Sequence, residues 1–265
     1  MKTVTSARFS ASLLSRTSVL AIPLLSASLL SGCVIHIDTS SRPSEHYSQQ
    51  LSLPASHLNQ LNIDADAGDL RIVGVVGLET IEVKADIWTY DGNNNGDGYE
   101  LTLTKRGHNG GAQLTASHDS HFDFGQSARI DLEVRMPAKM ALKIDDGSGD
   151  ISINHINAKV IIEDGSGSIE VVNQNDDLTI DDGSGSINIT NLVGNVEIVD
   201  GSGGIEVSHI TGDVTIEDSS GDIQVSHVSQ AVKIEDGSGD IDITAVNTLE
   251  IGESGSGDVN VHDGE

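Results

Sequence analysis

The second half of the chain repeats one phrase, Asp-Gly-Ser-Gly followed by an alternating apolar run, at a constant interval of 18 residues. The first glycine of the phrase recurs at Gly147, Gly165, Gly183, Gly201, Gly237 and Gly255, and Ser219 takes its place once. A fixed period of this length indicates a repeat architecture, in which each repeat packs against its neighbours.

Apolar and polar residues alternate on both sides of the glycine turn. In the first repeat Leu142 and Ile144 precede the turn, Ile151 and Ile153 follow it, and Ile156 closes the repeat. Alternation with period two among mostly β-branched residues predicts two short β-strands per repeat. Because five buried aliphatic side chains cannot offset the conformational entropy of 18 ordered residues, a single repeat is unstable and the repeats must stack.

The sequence therefore predicts an all-β fold, a single-stranded β-solenoid (β-helix) with seven 18-residue coils over residues 141–265. Equivalent side chains are expected to form ladders along the solenoid axis. In the last coil Leu249 and Ile251 arrive one residue early relative to Gly255, which predicts a bulge or a fraying end.

Residues 51–140 are rich in strand signals but lack the strict period. Four apolar residues in this region share the spacing of one coil: Leu61, Ile63, Leu70 and Ile72. Residues 60–77 are therefore predicted to form a degenerate first coil. The remaining alternating runs, separated by Gly- and Asn-rich turns, predict hairpin-like strands of an irregular β-rich N-terminal cap that shields the open edge of the solenoid.

Residues 1–32 have the pattern of a bacterial signal peptide, with basic residues followed by an apolar stretch too short to span a bilayer. The stretch ends in Leu30-Ser31-Gly32-Cys33, which resembles a lipobox. The resemblance implies cleavage before Cys33, a diacylglycerol on its thiol and acylation of the new amine, so that the protein is anchored in the membrane by several acyl chains. The alternative is an ordinary signal peptide whose cleavage site contains a cysteine.

Residues 33–50 are predicted to be a lipidated N-terminus followed by a flexible tether. Val34, rather than Asp, follows the cysteine. Under enterobacteria-like sorting rules this implies the outer membrane.

The chain is strongly acidic, with a formal net charge of −27 and a single cysteine. After Met140 there are 26 acidic residues but only three basic ones, Lys143, Lys159 and Lys233. This balance excludes nucleic acid as a partner and electrostatic docking on anionic lipid, and one cysteine cannot form an internal disulfide. An envelope protein, a glycan or a cationic ligand remains as the expected partner, and no cofactor is expected.

A family resemblance follows from these motifs. The chain has an export signal, a strand that ends in Val-x-Met-Pro at residues 134–137, and the phrase Leu-Lys-Ile-Asp-Asp-Gly-Ser-Gly-Asp-Ile with its recurrences. These features resemble the bacterial putative-adhesin family, a group of domains of unknown function, over about residues 51–261. The resemblance implies a β-solenoid fold and a non-catalytic role in the cell envelope.

A column of carboxylates accompanies the turns. One repeat position is aspartate in six coils: Asp146, Asp164, Asp182, Asp200, Asp218 and Asp236. The preceding position is acidic in five: Asp145, Glu163, Asp181, Glu217 and Glu235. Either Ca²⁺ or another hard cation bridges the column, or each aspartate caps its own turn by accepting backbone N–H groups.

Histidines supply two further candidate sites. His155, His209 and His227 share one repeat position with Asn173 and Asn191, which predicts either a metal column or a polar ladder at a turn. A second group lies in one loop: His118, Asp119, His121 and Asp123. This loop is either a transition-metal site or a solvated loop.

No catalytic constellation emerges from the sequence. A β-helix that cleaves acidic polysaccharides needs basic residues, which the array lacks, and its Ser and Asp residues are explained by the turns. We therefore expect a non-catalytic envelope protein, anchored by lipid in the outer membrane, that acts as a structural or adhesin-like binding module. The alternative is a module that binds divalent cations or senses envelope stress.

Overall fold

The computed structural model describes residues 36–38, 44–90, 99–107, 110–118 and 129–262. These residues form twenty β-strands and no helix, and they contain no helix with the length and hydropathy needed to cross a membrane. They lie in one compact unit, Cys33–Glu265. The predicted signal peptide and Cys33 are outside the described residues.

The lead-in to the repeats contains eight strands: β1 (His36–Asp38), β2 (Ser44–Pro54), β3 (Gln60–Ala65), β4 (Leu70–Val75), β5 (Thr80–Tyr90), β6 (Tyr99–Arg106), β7 (Gly111–His118) and β8 (Arg129–Pro137). The repeats contribute β9 (Ala141–Asp146), β10 (Ile151–Asn154), β11 (Val160–Asp164), β12 (Ile169–Asn175), β13 (Leu178–Asp182), β14 (Ile187–Val193), β15 (Val196–Asp200), β16 (Ile205–Thr211), β17 (Val214–Asp218), β18 (Ile223–Asp236), β19 (Ile241–Ile251) and β20 (Val259–His262).

The repeat strands form two parallel ladders in the predicted register. In ladder 1 the strands before the glycine turns stack directly, so that Ile144, Ile162 and Ile180 are successive partners. In ladder 2 the strands after the turns stack in the same way, with Ile153, Val171 and Ile189 in line. The predicted β-solenoid with 18-residue coils is confirmed.

The core is a column of aliphatic side chains between the two ladders. From Leu142 to Ile243 the apolar inward residues of both strands are at most 2% exposed, and the position that closes a coil is equally buried in Ile156, Leu192, Ile210 and Val228. In the second coil this closing position is Gln174, which is buried and donates from Nε2 to the Ala158 carbonyl at 2.7 Å. One polar residue is therefore accommodated through a backbone hydrogen bond.

The degenerate coil exists, but it is not the first in space. β3 pairs with β9 and β4 pairs with β10 in the repeat register, with Leu61 opposite Leu142 and Ile72 opposite Ile153. On their other edges β3 and β4 pair in parallel with β7 and β8. The strands β7 and β8, predicted as hairpin-like cap strands, therefore form a further coil, and the coil that comes earliest in the chain lies between it and the repeats.

Antiparallel strands cover that end of the solenoid, as the predicted cap requires. β6 pairs with β7, β5 with β8, β2 with β5 and β1 with β2. The pairing of β2 begins at Ser44, which differs from the flexible tether expected over residues 33–50. Residues 44–50 lack apolar alternation, so their strand state comes from backbone pairing with β5 and not from a local pattern.

The slip expected in the last coil is also present. β18 and β19 pair at an 18-residue offset as far as Val228 opposite Val246, and then at a 17-residue offset from Ala231 opposite Thr248. The connection from ladder 2 to ladder 1 is therefore one residue shorter in β19 than in β18. Leu249 and Ile251 therefore still face inward, although only half-buried.

The glycine turns form one line along the solenoid because the backbones of successive coils are in contact there. The N–H of Gly203 donates to the Ser220 carbonyl at 3.0 Å, and its φ is +151°. A Cβ at this position would overlap the carbonyl oxygen of Gly185 in the preceding coil. Only glycine permits both the backbone conformation and the close approach.

This contact predicts a difference between two adjacent glycines. Gly203→Ala should destabilise the protein by more than about 2 kcal/mol, because the new methyl group forces two coils apart. Gly204→Ala is the matched control, since a Cβ there meets nothing nearer than 3.9 Å. Thermal unfolding followed by circular dichroism should show a lower melting temperature for Gly203→Ala alone. Equal melting temperatures would contradict the stacking of the turns.

Candidate functional site

The column of aspartates lies at the end of the ladder 1 strands, where each strand enters its glycine turn. The alternation of the strand places this position on the inner face, next to the aliphatic core. All six side chains are 2–7% exposed: Asp146, Asp164, Asp182, Asp200, Asp218 and Asp236. Six carboxyl groups therefore share the interior of the solenoid with apolar side chains.

Hydrogen bonds explain why aspartate recurs at this position. In five coils its Oδ1 accepts the backbone N–H of the residue two positions later, at 3.0–3.3 Å, for example Ser220 on Asp218 and Ser238 on Asp236. This is the local geometry by which aspartate stabilises a turn. The turn-capping interpretation is confirmed for these five aspartates, whereas Asp146 lacks this hydrogen bond.

The second carboxyl oxygen of each aspartate is buried without a hydrogen-bond partner in the described residues, and in Asp146 both oxygens are. Removal from water disfavours the charged form and is the main cause of raised pKa values along the column. It raises the pKa of Asp146 to about 7, with Asp164 adding repulsion, and the pKa of Asp182 and Asp218 to about 6. Near neutral pH the column therefore holds carboxyl groups close to their protonation equilibrium.

The acidic position before the column faces solvent. Asp145, Glu163, Asp181 and Glu217 are exposed on the outer face of ladder 1, and Val199 interrupts the row. Lys143 contacts Glu163, and Lys233 contacts Glu235, each at 2.7 Å. Exposed pairs of this kind contribute little to stability. The row forms a mostly acidic, solvated face.

Other acidic residues connect one coil to the next. The N–H of Asn195 donates to Asp177, and the N–H of Ala231 donates to Asp213, at 2.9 and 3.0 Å. On the other side of the glycine turn, the N–H of Asp240 donates to Asp222 in the same way, at 3.0 Å. These contacts were not predicted from the sequence, although Asp and Asn recur at the two positions.

The histidine position has a backbone explanation that the sequence did not suggest. His155, Asn173, Asn191, His209 and His227 all have φ between +56° and +60°. Asn and His are among the non-glycine residues most often found in this left-handed conformation. His209 and His227 stack with ring centroids 4.7 Å apart and nearly parallel planes. The arrangement is the predicted polar ladder at a turn.

Metal coordination finds little geometric support in the part of the chain that the structure describes. No group of three or more His, Cys, Asp or Glu side chains there is placed to hold a metal ion. In the histidine-rich loop, His118 Nδ1 lies 2.9 Å from Asp66. The other residues of that predicted site, Asp119, His121 and Asp123, are outside the described residues.

A polar cleft of about 740 Å³ lies on the outer face of ladder 1, between β3, β6, β7 and β9. Asp64, Lys105, Arg106, Lys143 and Asp145 contribute to its lining. Desolvation, followed by repulsion from Asp145, raises the pKa of Asp64. The cleft combines both signs of charge on exposed side chains.

The buried column makes stability depend on pH in an unusual direction. Because the pKa of Asp182 is about 6 when folded and 3.8 without burial, folding favours protonation, and stability falls as pH rises from about 4 through 6. We expect Asp182→Asn to be more stable than the wild type at pH 8, by about 2–3 kcal/mol at most. Its amide can still cap the turn.

Melting temperatures at pH 5 and pH 8 measure this effect. Asp182→Asn should narrow the difference between the two, because it removes one group that binds a proton on folding. Asp181→Asn is the matched control, since it removes the same charge from the exposed row. If both variants changed the pH dependence equally, net charge and not burial would be responsible.

The left-handed backbone conformation of His209 gives a separate prediction. His209→Asn should change stability by less than about 0.5 kcal/mol, since Asn tolerates this conformation, whereas His209→Val should lose about 1–2 kcal/mol. Chemical denaturation measures both values. If Asn were as destabilising as Val, the imidazole itself and not the backbone conformation would explain the histidine.

Three solved structures resemble the described fold. A putative adhesin from Bacteroides fragilis matches at 13% identity over 82% of this chain and 96% of that chain, with a TM-score of 0.52. A putative adhesin and a putative lipid binding protein, both from Parabacteroides distasonis, match at 17% and 15% identity with TM-scores of 0.42. Each covers 82% of this chain, and the matches span 96% and 97% of those chains.

None of the curated proteins matches this chain. The similarity to the Bacteroides structure concerns the fold alone, because the identity is low. A sequence-family model gives the assignment, since the Toastrack DUF4097 model matches residues 79–264, which is more than half of the chain and includes every repeat. The chain is therefore a member of the Toastrack DUF4097 family.

Proposed function

We propose that this protein is a non-catalytic, lipid-anchored module of the bacterial cell envelope that binds other envelope components through the outer faces of its solenoid. The observation that carries the proposal is the exposed acidic row of ladder 1, which recurs at one outward position of the stacked coils and is interrupted only at Val199. Repetition allows many weak contacts to act together, as multivalent binding requires. The charge selects cationic groups on a protein or glycan.

The roles of the buried aspartates support a non-catalytic function. Their carboxyl groups cap turns inside the solenoid, and the aspartates of the inter-coil contacts accept backbone N–H groups. A general acid or base must reach a substrate proton, and the carboxyl groups of the column are buried inside the solenoid. The likeness to structures named putative adhesins agrees with a binding role, but the low identity limits that likeness to the fold.

The lipid anchor rests on the sequence around Cys33. The cysteine is the only one in the chain and lies at the end of the apolar stretch. A signal peptide directs the chain out of the cytoplasm, and Val34 after the cysteine favours the outer membrane. Both features favour a location of the acidic solenoid in the cell envelope.

Metabolic labelling with an alkyne analogue of palmitate tests the anchor. The wild-type chain should be labelled and should partition into detergent, and Cys33→Ser should lose both properties because no other thiol is available. Adding Ser40→Cys to Cys33→Ser is the control, since it restores a thiol outside the lipobox and should not restore labelling. Labelling of the Cys33→Ser variant would refute the proposed anchor.

Binding of the fluorescently labelled full chain to isolated envelopes tests the outer face. Asp181→Lys with Glu217→Lys should reduce the bound fraction severalfold at low salt, because both substitutions reverse exposed charges of the ladder 1 row. Glu206→Lys with Gln224→Lys, on the outer face of ladder 2, is the control. Equal loss with both pairs would contradict a site on ladder 1, and release of sugar or peptide fragments would contradict the absence of catalysis.

A further inference from the structure

Two apolar side chains at core positions of the last described coil are exposed to solvent. Val259 and Val261 of β20 continue the inward columns of Ile241 and Ile243, which are fully buried. Yet Val259 is 41% exposed and Val261 is 54% exposed, because no described strand lies over them. At the opposite end of the solenoid, the antiparallel strands β5 and β6 pair with β8 and β7 and cover the last coil there.

The edge also retains hydrogen-bonding groups that a further strand would use. In successive coils the N–H of Ile205, Ile223 and Ile241 donates to a carbonyl of the coil that follows, at 2.9 Å. The same pattern assigns the N–H of Val259 to a strand beyond β20. Asp258 continues the series in which Asp222 accepts the N–H of Asp240 and Asp240 accepts the N–H of Asp258. Its own carboxylate has no donor among the described residues.

The charges near β20 indicate what kind of partner would bind at this edge. Glu253 and Asp258 of the last coil are exposed, and no Lys or Arg follows Lys233 in the sequence, whereas Glu250 lies opposite Lys233 on the outer face of ladder 1. Pairing with the same end of a second copy would bring these like charges together. Natural edge strands are commonly protected by lysine or proline, and β20, with the sequence Val-Asn-Val-His, has neither.

We propose that the free edge of β20 and the exposed Val259 and Val261 form a docking site for an extended segment of a basic partner protein. The segment adds a strand to ladder 2, places apolar side chains over the two valines, and presents Lys or Arg to the surrounding carboxylates. Strand addition of this kind takes affinity from main-chain hydrogen bonds and specificity from alternate side chains. The inference goes beyond the proposed function because it involves neither the lipid anchor nor the outer face of ladder 1.

Fluorescence anisotropy with a labelled decapeptide of alternating valine and lysine tests the site on the full chain in detergent. The peptide should bind at least tenfold more tightly than a decapeptide of alternating valine and glutamate. Val261→Lys should weaken binding of the valine–lysine peptide at least tenfold, because it places a charge on the open core. Val193→Lys is the matched control, since Val193 is also 54% exposed and the change in charge is identical.

A neutral variant separates strand addition from charge attraction. Val259→Pro removes the N–H assigned to the incoming strand and leaves the net charge unchanged, so it should also weaken binding severalfold while preserving the melting temperature. Equal affinities of Val261→Lys and Val193→Lys would overturn the proposal by showing that the peptide binds the acidic surface in general. A concentration-dependent dimer, lost in Val261→Lys on sedimentation, would overturn it in favour of a second copy.

Discussion

Direct backbone contact between successive coils at the glycine turns is the constraint on which the rest of the structure depends. Each turn brings its chain within hydrogen-bonding distance of the turn before it, as when the N–H of Gly201 donates to the Asp182 carbonyl at 2.9 Å. A side chain at the closest position would collide with the preceding carbonyl. Because every coil meets this condition, all inward side chains align, and short strands that are unstable alone become two continuous sheets.

The same stacking gives a structural reason for much of the acidic composition. Each turn exposes backbone N–H groups that the ladders do not use, and such groups must find acceptors when buried. Aspartate supplies acceptors within the turn, as Asp200 does for Ser202, and between coils, as Asp213 does for Ala231. The consequence is a set of buried carboxyl groups whose pKa values are raised by desolvation. Carboxyl groups inside the solenoid therefore accept hydrogen bonds from the backbone, whereas those on its outer face remain available for partners.

The two ends of the solenoid differ because of how the chain enters and leaves it. The lead-in places the β7–β8 coil outside the β3–β4 coil and covers it with β5 and β6, so that end carries antiparallel strands. At the other end β20 continues the parallel ladder, and its valines lack the cover that earlier coils receive. This asymmetry favours strand addition at one end and opposes unlimited end-to-end stacking.

The sequence by itself determined the solenoid, its register and the burial of Ile144 and Ile153, because side-chain alternation and an 18-residue period are local properties that stacking preserves. For the aspartate column the sequence left cation binding and turn capping open, and the hydrogen bonds of the structure support turn capping in five coils. Only the tertiary structure decided the order of the N-terminal coils, the strand at residues 44–50 and the left-handed backbone conformation of His209. These features depend on contacts between segments far apart in the chain, or on a backbone angle, and neither leaves a periodic pattern of apolar residues.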